Sequence, residues 1–132
     1  VDSLDEIITS AEDFSGKIVP SVPKHNFFFA LEYKHPIASN LNGFIKGTYQ
    51  SISGMYVNDA NSVLTEGYQV LNSTLGFETF FDNFNLLVSG GVNNILDQTY
   101  VGFININSSN GRFYEAGEPQ SFFATLKLNY VF

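Results

Sequence analysis

Cysteine and tryptophan are absent from this 132-residue chain, and charged side chains make up only 14% of it. The lack of cysteine excludes disulfides and thiolate chemistry. No run of about 20 consecutive apolar residues occurs, so a transmembrane helix is not expected. Acidic residues outnumber basic ones by 13 to 6, and the resulting net charge of −7 argues against a nucleic-acid partner, whose phosphates require a basic surface.

Residues with catalytic or metal-binding chemistry are also scarce. His25 and His35 are the only histidines. They lie at opposite ends of one predicted strand, about 30 Å apart by the rise of an extended chain, so they cannot share a metal ion. The sequence has no catalytic-triad spacing, no phosphate-binding loop and no EF-hand string. We therefore predict that the chain is not an enzyme and holds no metal and no cofactor.

What the chain has in abundance is phenylalanine (14), glycine (11) and tyrosine (7), the residues of strands and turns. The final segment, residues 121–132, alternates most clearly. One face is wholly apolar and consists of Phe122, Ala124, Leu126, Leu128, Tyr130 and Phe132. The other face carries nearly all the polar groups of the segment. A membrane-spanning β-strand needs this pattern, because one side meets lipid and the other meets a wet lumen.

Five strands are predicted, each close to the nine to eleven residues that cross a bilayer when tilted. They span residues 26–34, 41–53, 70–81, 84–94 and 121–132. The connections 35–40 and 82–83 are short, whereas 54–69 and 95–120 are long. Short turns at one end and long loops at the other are typical of a bacterial outer-membrane barrel.

Charged residues fall on one face of the predicted strands only. The apolar face carries residues such as Phe29, Ile45, Leu75 and Val88. The charged strand residues all have the opposite parity and are Glu32, Lys34, Lys46, Glu78 and Lys127. A soluble β-sandwich would show similar alternation with its apolar face inside, so parity alone leaves both architectures open. Strand length, loop asymmetry and aromatic residues at both strand ends favour the membrane barrel.

Three segments, in this order, resemble TonB-dependent outer-membrane receptors. Residues 19–25 (Val-Pro-Ser-Val-Pro-Lys-His) are similar to the family's entry into a late barrel strand. Residues 91–100 resemble its Asn-Leu-Phe-Asp run followed by tyrosine, although Ile95 and Leu96 occupy the middle positions. Residues 117–120 resemble its Gly-x-Pro-Arg ending, with Gln120 in place of the arginine, so any ion pair made by that arginine is lost.

The resemblance implies an all-β fold, an antiparallel up-and-down meander of five transmembrane strands. It would form the C-terminal part of a barrel of roughly 22 strands. Residues 1–24 would be an extracellular loop segment, and residues 25–132 would be barrel strands with two long extracellular loops. A plug domain and a TonB-binding motif, which the family has, are not found in this sequence.

The resemblance also implies a function: import of a scarce nutrient such as a ferric siderophore across the bacterial outer membrane. The implied partners are outer-membrane lipid, TonB acting through the plug region, the barrel-assembly machinery and a small-molecule cargo. The alternatives are a diffusion porin or other outer-membrane barrel, and a soluble sandwich or lipocalin-like binding protein. A porin is not expected to carry the three segments.

Candidate functional residues lie in the two long loops and at the chain end. Loop residues that combine aromatic, amide and charged groups are candidate substrate contacts: Tyr56, Asn58, Asp59, Arg112, Tyr114 and Glu115. Packing and turn chemistry within the loops offer an alternative explanation for them. Tyr130 and Phe132 match the terminal aromatic signal that the barrel-assembly machinery reads in outer-membrane proteins.

Overall fold

The computed structural model describes residues 12–106 and 113–131, and all regular structure in these ranges is β. Within them, no helix is long and apolar enough to cross a membrane. The strands are β1 (Asn26–Ala38), β2 (Leu41–Ile52), β3 (Tyr68–Phe81), β4 (Phe84–Asn93), β5 (Val101–Asn105), β6 (Phe113–Ala116) and β7 (Ser121–Tyr130).

The main sheet has five antiparallel strands in the order β1-β2-β3-β4-β7. These are the five predicted strands, with ends that differ by up to four residues, and the predicted all-β antiparallel meander is confirmed. The sheet is open, because β1 and β7 form its two edges. At the tight turn between β3 and β4, Asp82 takes a left-handed conformation with φ of 47°. Aspartate tolerates that conformation better than most residues.

Two features differ from the sequence-based expectation. β1 continues through Pro36 to Ala38, so most of the predicted turn 35–40 is strand. Proline is compatible with this position because β1 is an edge strand, and the pairing with β2 shifts register just beyond it. The second difference is that the long connection 95–120 carries the separate hairpin of β5 and β6. Its strands are too short to give a strong alternation in the sequence.

The register brings the two kinds of side chain onto opposite faces of the sheet. One row across the strands contains Tyr33, Ile45, Leu75, Gly90 and Ala124. The adjacent row on the other face contains Glu32, Lys46, Thr74, Gly91 and Phe123. We call these the apolar face and the polar face. The register thus agrees with the parity argument that all charged strand residues share one face.

Ion pairs and amides connect the strands on the polar face. The Lys34 ammonium lies 2.7 Å from a carboxylate oxygen of Glu78, and Lys46 lies 3.5 Å from Glu32. The Asn72 side chain donates a hydrogen bond to the hydroxyl of Thr48 at 3.1 Å. Lys46–Glu32 and Asn72–Thr48 join neighbouring strands, whereas Lys34 on β1 reaches across β2 to Glu78 on β3. Such contacts help to fix the register of the sheet.

Two aromatic rings on the polar face cover glycines of the neighbouring strand. Phe44 pairs with Gly76, and Phe123 pairs with Gly91. A Cβ atom added at either glycine would overlap the ring that lies above it. A ring over a strand glycine restores packing where the glycine has no side chain, which explains how glycine is accommodated in the middle of these strands.

The apolar face is not covered by other parts of the described chain. Phe122 is 75% exposed and Leu126 is 74% exposed. Exposure on the polar face varies with position: the Lys34 and Lys46 side chains are 49% and 50% exposed, and that of Glu78 is 17% exposed. In a water-soluble sandwich the apolar face would instead be covered, because burial of apolar area drives folding. The sheet therefore lacks a core of the soluble kind within the described residues.

Candidate functional site

The long connections pack together at one end of the sheet and form what we call the loop layer, the described residues within 12–24, 53–67 and 94–119. The buried hydrophobic residues of the described chain lie here and are Met55, Val57 and Ile104, at 6%, 3% and 1% exposure. Val101 and Ile106 pack against them. The loops are thus built around a small core of their own, which gives their surface a defined shape.

The segment before β1 is held against the loops by specific hydrogen bonds. The Ser21 amide donates to the carbonyl of Tyr56 at 2.8 Å, and the Ser21 hydroxyl donates to the carbonyl of Ile104 at 3.0 Å. The side-chain amide of Asn61 both accepts from the amide and donates to the carbonyl of Ile18, each at 2.7 Å. The Asn61 side chain thus exchanges two hydrogen bonds with the backbone of Ile18, as the backbone of a neighbouring strand would. These bonds attach residues 12–24 to the rest of the loop layer.

The connection between β2 and β3 folds back on itself as a narrow hairpin-like loop. The Thr65 amide donates to the carbonyl of Met55 at 2.9 Å, and the Met55 amide donates to the Thr65 hydroxyl at 3.0 Å. At its tip the Asn58 side chain accepts from the Ser62 amide at 2.9 Å. Asn58 therefore shapes the turn, which limits its freedom to contact a ligand.

A buried asparagine joins the end of β4 to both ends of the long connection between β4 and β7. Asn94 is 1% exposed, with φ of 48°. Its side-chain nitrogen donates to the carbonyls of Gln98 and Glu118 at 2.9 and 3.0 Å, and its side-chain oxygen accepts from the Gln98 amide at 3.1 Å. The Gln98 side chain in turn accepts from the Gln69 amide at 2.8 Å. This asparagine lies in one of the three segments that carry the family resemblance.

The Glu118 carboxylate holds the start of β7 by two hydrogen bonds. Glu118 accepts from the Ser121 hydroxyl at 2.6 Å and from the Asn93 side chain at 3.1 Å. These two hydrogen bonds favour the ionised form and hold the pKa of the Glu118 carboxyl below its usual range. Gln120, which stands where the family has arginine, donates instead to the carbonyl of Ile95 at 3.1 Å.

A cleft of about 620 Å³ opens in the loop layer beside the start of β3. We call it the aromatic cleft, because Tyr68, Tyr100 and Tyr114 contribute to its lining. Tyr68 and Tyr100 stack with ring centroids 4.1 Å apart and planes 22° from parallel. Glu66 and Gln98 add polar groups to the lining. Aromatic surface with a few polar groups is typical of small-molecule sites.

The structure separates the predicted loop contacts from one another. Tyr114 lines the aromatic cleft, whereas Glu115 follows it in β6, exposed and outside that lining. Tyr56 and Asp59 border two smaller depressions near residues 18–20. Arg112 lies outside the described residues. The ligand-contact role of the six candidates stays a prediction.

Sequence reasoning did not identify Glu66, Tyr68, Gln98 or Tyr100 as possible ligand contacts. Tyr68 precedes the predicted start of its strand, and Tyr100 was noted only as part of a motif. The two lie 32 positions apart, and no periodicity in the sequence pairs them. The available signal was the concentration of tyrosines flanking the long connections, which could have suggested an aromatic surface without showing which rings meet.

Aromatic rings also meet at both ends of the sheet, as the sequence led us to expect. At the tight-turn end, Phe84 lies 5.7 Å from Phe81 and 4.9 Å from Tyr130, measured between ring centroids. At the loop end, Phe27 and Tyr49 lie 6.4 Å apart. Of the two residues of the predicted assembly signal, Tyr130 is described by the structure, whereas Phe132 lies outside the described residues.

Among residues 12–106 and 113–131, no three histidine, aspartate or glutamate side chains group as metal ligands would. His25 and His35 lie at the two ends of the β1 region. The His35 ring stacks near Tyr33, with Nδ1 3.4 Å from the tyrosine hydroxyl. Each histidine therefore contacts residues near it in the fold, and the two do not contact one another.

Two comparisons with known proteins agree with this geometry. The family model described as TonB dependent receptor-like, beta-barrel matches residues 2–95. The fold is similar to the crystal structure of BauA, the ferric preacinetobactin receptor from Acinetobacter baumannii, with a TM-score of 0.74 at 16% sequence identity. That match covers 86% of this chain and 16% of the BauA chain, so this chain spans about a sixth of the length of that receptor.

Proposed function

This chain belongs to the TonB-dependent receptor β-barrel family, and on that premise we propose that it forms part of the wall and outer loops of a receptor that imports a scarce nutrient across the bacterial outer membrane. The observation that carries the proposal is the division of the sheet into an uncovered apolar face and an opposite face that carries all of its charged side chains. Lipid against the apolar face and a water-filled lumen against the polar face would give each face a compatible surrounding.

The open edges of the sheet support a larger assembly. Within residues 12–106 and 113–131, β1 and β7 each have a neighbouring strand on one side only. Unpaired backbone groups are costly in a membrane, so spanning sheets close into barrels. Five strands are fewer than the eight or so of the smallest known barrels. We therefore infer that further strands, with the plug that contacts TonB, complete the receptor.

The proposed orientation puts the loop layer outside the cell. The tight turn at Asp82 and Asn83 would then face the periplasm, and residues 12–24, 54–67 and 94–120 would face the medium. Long loops on the outer side are the usual layout of outer-membrane barrels. Labelling of a cysteine introduced at Asn83 from outside intact cells would contradict this orientation.

A ferric siderophore is the cargo class we propose for the whole receptor. The support is the fold likeness to BauA, a ferric preacinetobactin receptor, together with a loop layer whose core gives the outer surface a fixed shape. The six loop candidates, Tyr56, Asn58, Asp59, Arg112, Tyr114 and Glu115, remain proposed contacts. A diffusion porin is the alternative, and it differs in needing no energy source.

The test is uptake of radiolabelled iron–siderophore complexes by cells that carry or lack the gene. We expect uptake to require the receptor, TonB and the inner-membrane proton gradient. A panel of hydroxamate, catecholate and mixed siderophores would identify the cargo. Receptor-dependent uptake that persists after the gradient is collapsed would reject active import and favour a porin.

The chain end offers a separate test of membrane assembly. We propose that Tyr130 and Phe132 are read by the barrel-assembly machinery, so deletion of Phe132 should sharply reduce the amount of protease-resistant, heat-modifiable receptor in the outer membrane. Loss of one apolar side chain should cost at most about 1–3 kcal/mol in burial. Unchanged receptor levels would contradict the assembly-signal role of Phe132.

A further inference from the structure

The aromatic cleft is an open cavity formed by described residues of the loop layer and of β3, β5 and β6. Its volume of about 620 Å³ falls within the range of roughly 300–1,000 Å³ found for small-molecule sites. Two walls are fixed by packing. The ring of Tyr100 stacks on Tyr68, and a Cβ atom added at Gly117 would overlap that same ring, so Tyr100 is held between them.

The third tyrosine has a different role in this cavity. Tyr114 stands on β6, is 52% exposed and lines the same cleft. Because half of its surface remains accessible, its ring is available to an incoming group. Aromatic faces carry negative electrostatic potential and attract cations that approach within about 6 Å of the ring centre.

The charge at the cleft has the same sign as the ring faces. Among the described residues that line it, Glu66 is the one ionisable carboxylate, and no lysine or arginine is among them. The chain as a whole carries a net charge of −7. An anionic ligand would meet repulsion here, whereas a cation would gain from both the carboxylate and the rings.

We propose that the aromatic cleft binds an organic cation, a quaternary or protonated amine, between the tyrosine faces and the Glu66 carboxylate. Thr65 and Gln98 add hydroxyl and amide groups beside the cation for a polar substituent. The inference rests on the proposed function only for placing the cleft on the outer surface of the cell. If the receptor imports its cargo from this side, the cargo would carry such a cationic group.

The test uses the complete purified receptor in detergent and a matched pair of probes. Choline carries a quaternary ammonium, and 3,3-dimethylbutanol is its uncharged counterpart of the same shape. Binding is measured by calorimetry or ligand-observed NMR at constant ionic strength. We expect choline to bind about tenfold more tightly, which is equivalent to about 1.4 kcal/mol. Binding does not require transport, so this result is independent of the uptake experiment.

Two variants connect the preference to the cleft. Glu66→Gln and Tyr114→Leu should each reduce the choline preference to about threefold or less, since each removes one attraction and keeps the side-chain size similar. Tyr114→Phe, which keeps the aromatic face, and Asp82→Asn, which removes a carboxylate at the far end of the sheet, should retain it. Absence of choline binding, equal binding of both probes, or a preference that survives both Glu66→Gln and Tyr114→Leu would overturn the proposal.

Discussion

The five-stranded sheet and the loop layer have opposite relations between hydrophobicity and burial. In the loop layer, Met55, Val57 and Ile104 are buried as in any water-soluble domain. In the sheet, apolar residues such as Leu31, 61% exposed, form a face that the described chain does not cover, while charged residues pair on the opposite face. The two regions therefore suit different surroundings: water for the loops and, in the proposed receptor, lipid for the apolar face of the sheet.

The comparison shows that hydrophobic residues alone do not define a core. Leucine and phenylalanine are found in both regions, and what differs is whether other parts of the chain cover them. The regions also differ in what holds them together. The sheet depends on continuous backbone ladders, whereas the loop layer depends on single side-chain hydrogen bonds from residues such as Ser21, Asn61 and Asn94. Changes should therefore act locally in the loops and through the whole sheet in the strands.

The largest effect is expected from Ile104→Ala. Ile104 is 1% exposed, so the change leaves a cavity in the small core and should cost about 2–5 kcal/mol of loop-layer stability. Hydrogen exchange should rise at residues 55–57 and 101–106 while β2 and β3 keep their protection. Val19→Ala, at a 65% exposed position of the same layer, is the control. Equal loss of protection in β3 would mean that the loops and the sheet unfold as one unit.

The next prediction contrasts the two faces of β1. Leu31→Arg puts a charge on the proposed lipid side and should destabilise the receptor in lipid vesicles by about 2–4 kcal/mol near mid-bilayer. Ala30→Arg, one residue earlier on the polar face, should cost much less. Urea unfolding in vesicles, followed by gel mobility of the folded barrel, measures both. If Leu31→Arg changed stability by no more than about 0.5 kcal/mol, as on a water-exposed surface, the lipid-facing assignment would fail.

A smaller effect is expected at the junction of the two regions. Asn94→Ala removes the donor to the Gln98 and Glu118 carbonyls and should cost about 1–3 kcal/mol by leaving buried polar groups unpaired. Asn94→Gly also loses these bonds but accepts the positive φ, so the difference between the two variants isolates the backbone contribution. We expect amide hydrogen exchange at residues 94–98 to increase in both variants. Unchanged exchange would show that the loop base is held by other contacts.

The smallest effect is a pH dependence at Glu118. Its pKa is lowered in the folded chain by hydrogen bonds from Ser121 and Asn93, so its stabilising contribution is complete above the ordinary glutamate pKa of about 4.3 and is lost as pH falls through the lowered value. The protection factor at the start of β7, which corrects for the intrinsic pH dependence of amide exchange, should therefore fall slightly at acid pH in the unaltered protein. Glu118→Gln should abolish that change. A fall in the protection factor that persists in Glu118→Gln would assign it to another carboxylate.

The sheet was largely predictable because its features are local and periodic. Alternation located all five strands and put Glu32, Lys46 and Lys127 on one face, since side chains in a strand alternate with a period of two. The tight turn at Asp82 and Asn83 followed from the two residues left between two alternating runs. The extension of β1 past Pro36 was missed, because proline normally ends a strand and only the edge position accommodates it.

The sequence by itself determined the class of fold, the two-faced strands, the asymmetry of the connections and the family resemblance, since each depends on residue order over short stretches. Only the tertiary structure decided which loop residues meet. The stacking of Tyr68 on Tyr100, the buried position of Asn94 and the enclosure of Ile104 join residues far apart in the chain. Such contacts depend on how irregular segments pack in three dimensions, and no periodicity in the sequence encodes them.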